Sequence, residues 1–505
     1  MSCDPGPGET VRFRGEFTET IFPTRSGTVI HDVQDIAGVN GFIVTFNQAV
    51  IGVDPDTDYL AVYGSRKGNS GAFAVMSASG NQIAVNTSDL PASQFLSETA
   101  SDPGVLQAAI LRPVHFTAWD ESVPPIFNTR YQAYHAVNDR VIMVSYLKSI
   151  GGNSINPGYY VWPAFKIDGS GGGNSDFHIF DHLEVINADC AIFTESASFQ
   201  SNYSIIQFCN LHDVGVAGGA SNEVIYWGYD GRPDLHHDYA QIMYNKIGPH
   251  VAGVGDGIEI KDSAHNVTIF GNEIVGILPN GCADAPLRTS GINTFIANNY
   301  LHDINPSGYG CGISIIDDVP GNPDSGGRGA IIVNNILSNV KLVGIRILDS
   351  DDVQILNNTI YSILDDPEHR EDNMGIMVQN WQGSTENIII KNNVVQDVYI
   401  GIGRYLWSNA YPFSVDNDYN IVFDATHPFY HTITQNANDQ VVDPGLVDPE
   451  NHDFTTTTTS PARDSGTDLA SVFNVDNHDA ADPRLPAITA PIIRTGVWDR
   501  GAYEH

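Results

Sequence analysis

The chain has 505 residues, with 24 Lys and Arg against 60 Asp and Glu, a formal charge of −36. That length exceeds one ordinary core, so several domains or one repetitive array are expected. The acidic field speaks against nucleic acid and anionic membranes as partners, and no run of 18 apolar residues offers a membrane span.

The opening MSCDPGPGE reads as the start of a trimmed mature form, which points to a secreted or cell-surface protein, extracellular or periplasmic, with Cys3 placed as a lipid-attachment cysteine would be. Five cysteines without a C-x-x-C make a zinc knuckle or redox motif unexpected. Cys282 and Cys311 either pair or stay as buried thiols.

Residues 1–120 are expected to form an N-terminal β-rich, sandwich-like domain. GFIVTFNQAV, DYLAVYG, AFAVM and NQIAVN are short strands between Gly, Asn and Asp turns. Pro113 to Pro125 reads as a connector, unless the domain packs directly as a cap on a repetitive array beyond it.

From about residue 140 one unit recurs. Asn210, Asn245, Asn272, Asn299, Asn335, Asn358, Asn393 and Asn420 open short apolar strands at spacings of 35, 27, 27, 36, 23, 35 and 27 residues. A second strand (DGIEI, CGISII, VGIRIL or MGIMVQ) precedes most of them. No helical pattern intervenes, and propeller blades need about 40 residues each. An all-β, right-handed parallel β-helix is therefore expected, with its coils over 121–440. The asparagines stack as an internal ladder at a turn that suits the left-handed conformation. Residues 441–505, with DPGL, SPARDSG and DRGAYE, are assigned to C-terminal coils and a closing tail.

Chemistry is expected on the outward side of the rungs. In Gly257-Ile258-Glu259-Ile260-Lys261 the isoleucines face in, and Glu259 and Lys261 face out. Arg288 falls one coil later, and Arg346 two coils on, in the slot equivalent to Glu259. The preceding coil, YWGYDGRPDLHHDY, supplies Tyr226, Trp227, Tyr229, Arg232 and His236, with His250 shortly after, as a set that would hold a sugar chain. Lys261, Arg288, Glu259 and His237 are assigned to catalysis. Asp256, Glu259 and Asp284 are hard oxygen donors suited to Ca2+; no organic cofactor is expected. The plain alternative for Glu259 and Lys261 is an exposed pair on a sheet, and for the histidines a surface loop.

The DGIEIKDSAHNVTIFGNEI rungs and the terminal pattern resemble secreted right-handed parallel β-helix proteins of the polysaccharide lyase type, similar to alginate lyases and chondroitinase B, over roughly residues 140–505. The resemblance implies a rung lysine acting as base and an arginine about one coil later. Glu259, Lys261 and Arg288 are the nearest positions here, and Thr289-Ser290-Gly291 stands where that family has Arg-His-Gly. β-Elimination at a uronide needs a base, a cation on the developing dianion and a proton for the leaving oxygen, and arginine offers a bidentate clamp for the carboxylate.

The expected function is thus a polysaccharide lyase acting on a uronic-acid-containing polysaccharide or oligosaccharide, as a monomer or weak homo-oligomer. Two alternatives stay open. A glycoside hydrolase would use a carboxylate pair from Asp230, Asp238, Asp256, Glu259, Asp284, Asp317 and Asp318, and the acidic field suits a neutral glycan. A non-catalytic glycan-binding or surface β-helix protein would instead show a flat face without clustered charge.

Overall fold

A computed structural model describes residues 10–13, 16–17, 32–35, 41–45, 53–66, 70–80, 82–86, 98–99, 104–111, 113–118, 126–127, 134–137, 142–150, 163–168, 175–194, 200–215, 223–231, 235–250, 255–277, 285–304, 310–317, 326–364, 367, 369–407, 410–473, 475–476, 492–494 and 497–504. The chain winds into the expected right-handed parallel β-helix with three faces. Sheet A is a 12-stranded parallel sheet that includes Gln241–Met243, Thr268–Phe270 and Phe295–Ala297. Sheet B takes Lys246–Ile247, Glu273–Val275 and Tyr300–Ile304. Sheet C takes Ile225–Trp227, Ile258–Ile260, Leu287–Thr289, Cys311–Ile316 and Val343–Leu348.

Alternation builds the core. In sheet C, Ile225, Trp227, Ile258, Ile260, Leu287, Ile313, Ile315, Ile345 and Ile347 all point into the bore and belong to one buried cluster. Each such side chain contributes about 2 kcal/mol by leaving water. The glycine of the DGIEI-type motif has its own cause. It sits at the corner where sheet B passes into sheet C, and a Cβ on Gly344 would lie 2.5 Å from the Gly375 carbonyl oxygen of the next coil.

The asparagine ladder is present. The Asn245 side-chain nitrogen donates to the Asn272 side-chain oxygen at 3.0 Å. The chain of amides continues through Asn299, Asn335, Asn358, Asn393 and Asn420, which donates to Asp439. Each amide nitrogen also donates to a bore-side carbonyl, as Asn335 does to Ile296 at 3.0 Å. Asn210 is a correction: it is exposed and pairs with Lys246, and the ladder position in that coil is Cys209, whose backbone N–H meets Asn245. The left-handed residue is also not the ladder asparagine but the one before it: Tyr244, Gly271, Asn298, Asn334, Asn357 and Asn392.

That division explains the Asn-Asn pairs. The second asparagine serves the ladder. The first takes the left-handed turn, and three of these firsts also bind the C-terminal tail: Asn334 accepts from Arg494, Asn357 donates to the Asp499 carbonyl, and Asn392 donates to the Thr467 carbonyl. Asn335→Ala should therefore cost about 3 kcal/mol, because partners above, below and in the bore are left unsatisfied in one step. Urea denaturation checks this, and a midpoint within error of the native protein would refute the ladder's energetic role.

The chain enters the helix early. Thr10–Phe13 pairs in parallel with Val114–Ala118, so the first parallel strands precede the antiparallel region. Between them lies a seven-stranded antiparallel sheet. It packs face to face on the outer side of sheet A through Ala61, Tyr63, Ala72 and Leu111 against Met143, Ile179 and Ile205, which gives the sandwich-like layering. Farther along, Phe473 covers the outer side of sheet A, and Phe454, Ala502 and Tyr503 cover Tyr300 and Ile336 of sheet B. The tail thus runs back over the coils and does more than close the last one. These covers lie on sheets A and B, whereas sheet C carries the charged residues.

Candidate functional site

Register on sheet C brings the predicted charges together. Outward residues stack coil on coil: Phe193 pairs with Tyr226, Tyr226 with Glu259, Glu259 with Arg288, Arg288 with Ser314, and Ser314 with Arg346. Arg288 is therefore directly beside Glu259, and Arg346 stands three coils from Glu259 rather than two. Two rungs, about 10 Å, separate Arg288 from Arg346.

Glu259 is the centre. It is 1% exposed. Its Oε1 takes Lys261 Nζ at 2.6 Å and an Arg288 NH1 hydrogen bond. Its Oε2 is buried without a hydrogen-bond partner among the described residues. Lys261 is also buried, with Nζ 5.1 Å from the Tyr226 ring centroid and 4.0 Å from Asp230. Burial lowers the Lys261 pKa, but the Glu259 charge outweighs this and the Arg288 repulsion, so the ammonium sits above its ordinary 10.5. Lys261 holds its proton here, which departs from the expectation of a lysine base.

Two further carboxylates converge. Asp256 and Glu223 occupy one column, three residues before Glu259 and Tyr226, and ligand atoms of Glu223, Asp256 and Glu259 lie within 4.8 Å of one another. Asp256 accepts the Ala285 N–H and lies 4.0 Å from Arg288. Glu223 was not found from the sequence, although it precedes Asp256 by the same offset that separates Tyr226 from Glu259. Hard, buried oxygens and the unsatisfied Glu259 Oε2 fit the Ca2+ expectation, with Glu223 joining Asp256 and Glu259 as donors. Asp284 and Arg232 lie outside the described residues, as do Cys3, Cys282 and Asp318.

Other expectations are corrected. Trp227 alternates inward, is fully buried in the bore and donates from Nε1 to the His237 carbonyl at 3.1 Å, so it offers no stacking surface. His237 is also fully buried, and burial together with His236 and His265 lowers its pKa to about 3. An imidazole so enclosed is held neutral by its packing. His250 is 6% exposed and its ring fills the space a side chain on Gly215 would need. His236 is exposed and pairs with Asp238 at the turn between sheets C and A. Tyr229 is half-buried on the loop after Trp227. A cleft of about 270 Å³ between Arg66 and Phe295 lies at the sheet A side, and none of the predicted site residues lines it.

Trp227→Phe tests the reassignment. It should lower thermal stability by about 1–2 kcal/mol through lost packing and the lost bond, and leave KM for any glycan unchanged. A raised KM at unchanged stability would return Trp227 to a binding role.

Comparison with protein-family models and with curated proteins gives no match. Among solved structures, the chain is similar to an alginate lyase from Paenibacillus sp. str. FPU-7 at 16% identity and a TM-score of 0.37, over 60% of this chain and 84% of that one. It is similar to the periplasmic alginate epimerase AlgG at 10% identity and a TM-score of 0.37, over 63% and 78%. The catalytic domain of a GH87 α-1,3-glucanase aligns at 11% identity and a TM-score of 0.37, over 82% and 92%. These are likenesses at the level of the parallel β-helix fold.

Proposed function

We propose that the protein is a carbohydrate-active enzyme, a polysaccharide lyase that cleaves a uronic-acid-containing glycan by β-elimination on sheet C. The observation that carries this is the buried Glu259 held between Lys261 and Arg288, with Arg346 farther along the same outward column. Lys261, Arg288 and Arg346 set three cations on this face among the carboxylates Glu223, Asp256 and Glu259, and those cations are suited to successive carboxylates of an extended substrate.

The roles follow from the charges. Arg288 pairs with the substrate carboxylate and stabilises the dianion that develops as the α proton leaves. Glu259, with a buried lone pair on Oε2, accepts that proton. The C–H electrons form the new C=C bond, the C–O bond to the leaving sugar breaks, and Lys261, which holds its proton, supplies it to the leaving oxygen. Tyr226, 6% exposed and packed on Phe193, sets its ring against the Lys261 ammonium and holds that proton donor in place. Ca2+ held by Glu223 and Asp256 would add positive charge beside the substrate carboxylate, with Glu259 Oε2 left to take the proton.

One observation favours a second reading, a glycoside hydrolase. Glu223, Asp256 and Glu259 are close enough for paired-carboxylate catalysis, in which a retaining enzyme sets its carboxyl groups about 5–5.5 Å apart.

One screen separates the readings. Purified protein is offered acidic and neutral glycans, with and without Ca2+, and both ultraviolet absorbance of unsaturated uronide and new reducing ends are followed. A rise in both is expected. Reducing ends without the ultraviolet signal would sink elimination in favour of hydrolysis. Silence in both across a broad panel would point to a non-catalytic glycan-binding protein.

A further inference from the structure

We infer that His236, Asp238 and His265 form a binding site for a transition-metal ion of the Zn2+ type. The three come from adjacent coils at the turn between sheets C and A. His236 Nδ1 lies 3.2 Å from Asp238 Oδ2, and His265 Nδ1 lies 3.4 Å from Asp238 Oδ1. One ligand atom from each residue lies within 4.8 Å of the other two. Metal–ligand bonds of about 2.0–2.1 Å at tetrahedral angles put ligand atoms about 3.3–3.4 Å apart, close to the 3.2 and 3.4 Å at which the two histidines face the two Asp238 oxygens.

A second observation concerns the proton on His265. Its Nε2 lies 3.2 Å from the Asp262 carbonyl oxygen. A carbonyl only accepts, so Nε2 carries the hydrogen. In the neutral ring Nδ1 then presents a lone pair to the Asp238 carboxylate. Two lone pairs face each other comfortably only across a cation or a second ring proton. A ligating histidine whose other nitrogen donates to a backbone carbonyl is the usual way a metal site fixes tautomer and ring orientation. Asp238 is itself held in place, accepting the His265 N–H at 3.0 Å and donating its own N–H to Asn202 at 2.9 Å. His236 is the most exposed of the three, leaving a side of the site open to solvent for a water ligand.

The consequence is mechanical. His236 and Asp238 belong to one coil, and His265 to the next, shortly after Lys261 and Asp262. A bound ion ties the two coils together next to the charged column. This inference stands independently of the elimination chemistry, because it concerns three different ligands.

The test uses the full chain, stripped with a chelator and titrated with Co2+, then competed with Zn2+. One Co2+ per chain is expected, with visible ligand-field bands that Zn2+ abolishes. H265A and H236A should each weaken binding by more than about tenfold. E259Q should leave it unchanged, which separates this site from the three carboxylates. His236 is exposed, so H236A tests the site even if H265A folds poorly. No stoichiometric Co2+ or Zn2+ binding, or binding that persists in both variants, overturns the inference. So does histidine NMR that finds His265 doubly protonated at neutral pH with Zn2+ present, since an ion pair then accounts for the geometry.

Discussion

Lowering the pH from 7 to 4.5 should remove stability through His178 and His237. Burial lowers each imidazole to about 3, against the Ser175 backbone contact for His178, and with added repulsion from His236 and His265 for His237. His178 sits in register with Ile142 on the bore side of sheet A, where no water reaches a charge. A base whose folded pKa is depressed takes its proton only in the unfolded chain between its ordinary value of 6.5 and 3. Its stabilisation is complete above 6.5 and is lost as pH falls. At pH 4.5, two pKa units for each of two groups amount to about 5 kcal/mol. Burial raises Asp238 and Asp372, which works in the opposite direction as they take up protons in the folded state. The informative quantity is therefore the difference between the native protein and an H178Q H237Q variant. The native thermal midpoint should fall much further between pH 7 and 4.5 than that of the variant. Parallel falls would mean that neither histidine is held neutral in the fold.

These histidines show what the sequence hides. Alternation in Gly257-Ile258-Glu259-Ile260-Lys261 made the inward isoleucines and outward charges legible, because a side-chain period of two needs no knowledge of neighbours. The same parity, carried to Tyr226-Trp227, would have sent Trp227 inward. Its composition as an aromatic in a loop-like run pointed the other way. The ladder was legible as spacing, yet Asn210 was off by one, since an asparagine beside the ladder looks the same as one on it. Arg346 was displaced by a coil because loop lengths vary and only backbone pairing counts rungs. Pairing of Thr10–Phe13 with Val114–Ala118 has no local signature at all, as about a hundred residues of chain that include the seven-stranded antiparallel sheet intervene. Glu223 and His265 were missed for the same reason. Their significance comes from neighbours one coil away, and a chain without alignment shows no column.

The largest effect on activity is expected at Arg288 and Glu259. Arg288→Met should lower kcat/KM on the glycan found by the screen by about 10²–10³-fold, as expected when one group that stabilises a developing anion is removed. Glu259→Gln should be at least as damaging, because the amide keeps the shape and cannot take a proton. Stability must be separated from chemistry here. Glu259 is 1% exposed, and removing Arg288 alone leaves its charge with Lys261 as the remaining short contact, a change that costs several kcal/mol in a buried pair. The triple variant E259Q K261M R288M removes all three charges together, so that Lys261 is not left buried without Glu259, and should regain much of that stability while staying inactive. If the cluster only holds coils together, the stable triple variant recovers turnover, and sheet C loses its claim to the chemistry. If it stays inactive with a native thermal midpoint, the loss belongs to the reaction. Lys261→Met then divides the remaining roles. A proton donor to the leaving oxygen predicts that substrates with a good leaving group are spared, whereas a purely positioning lysine predicts equal loss on all of them.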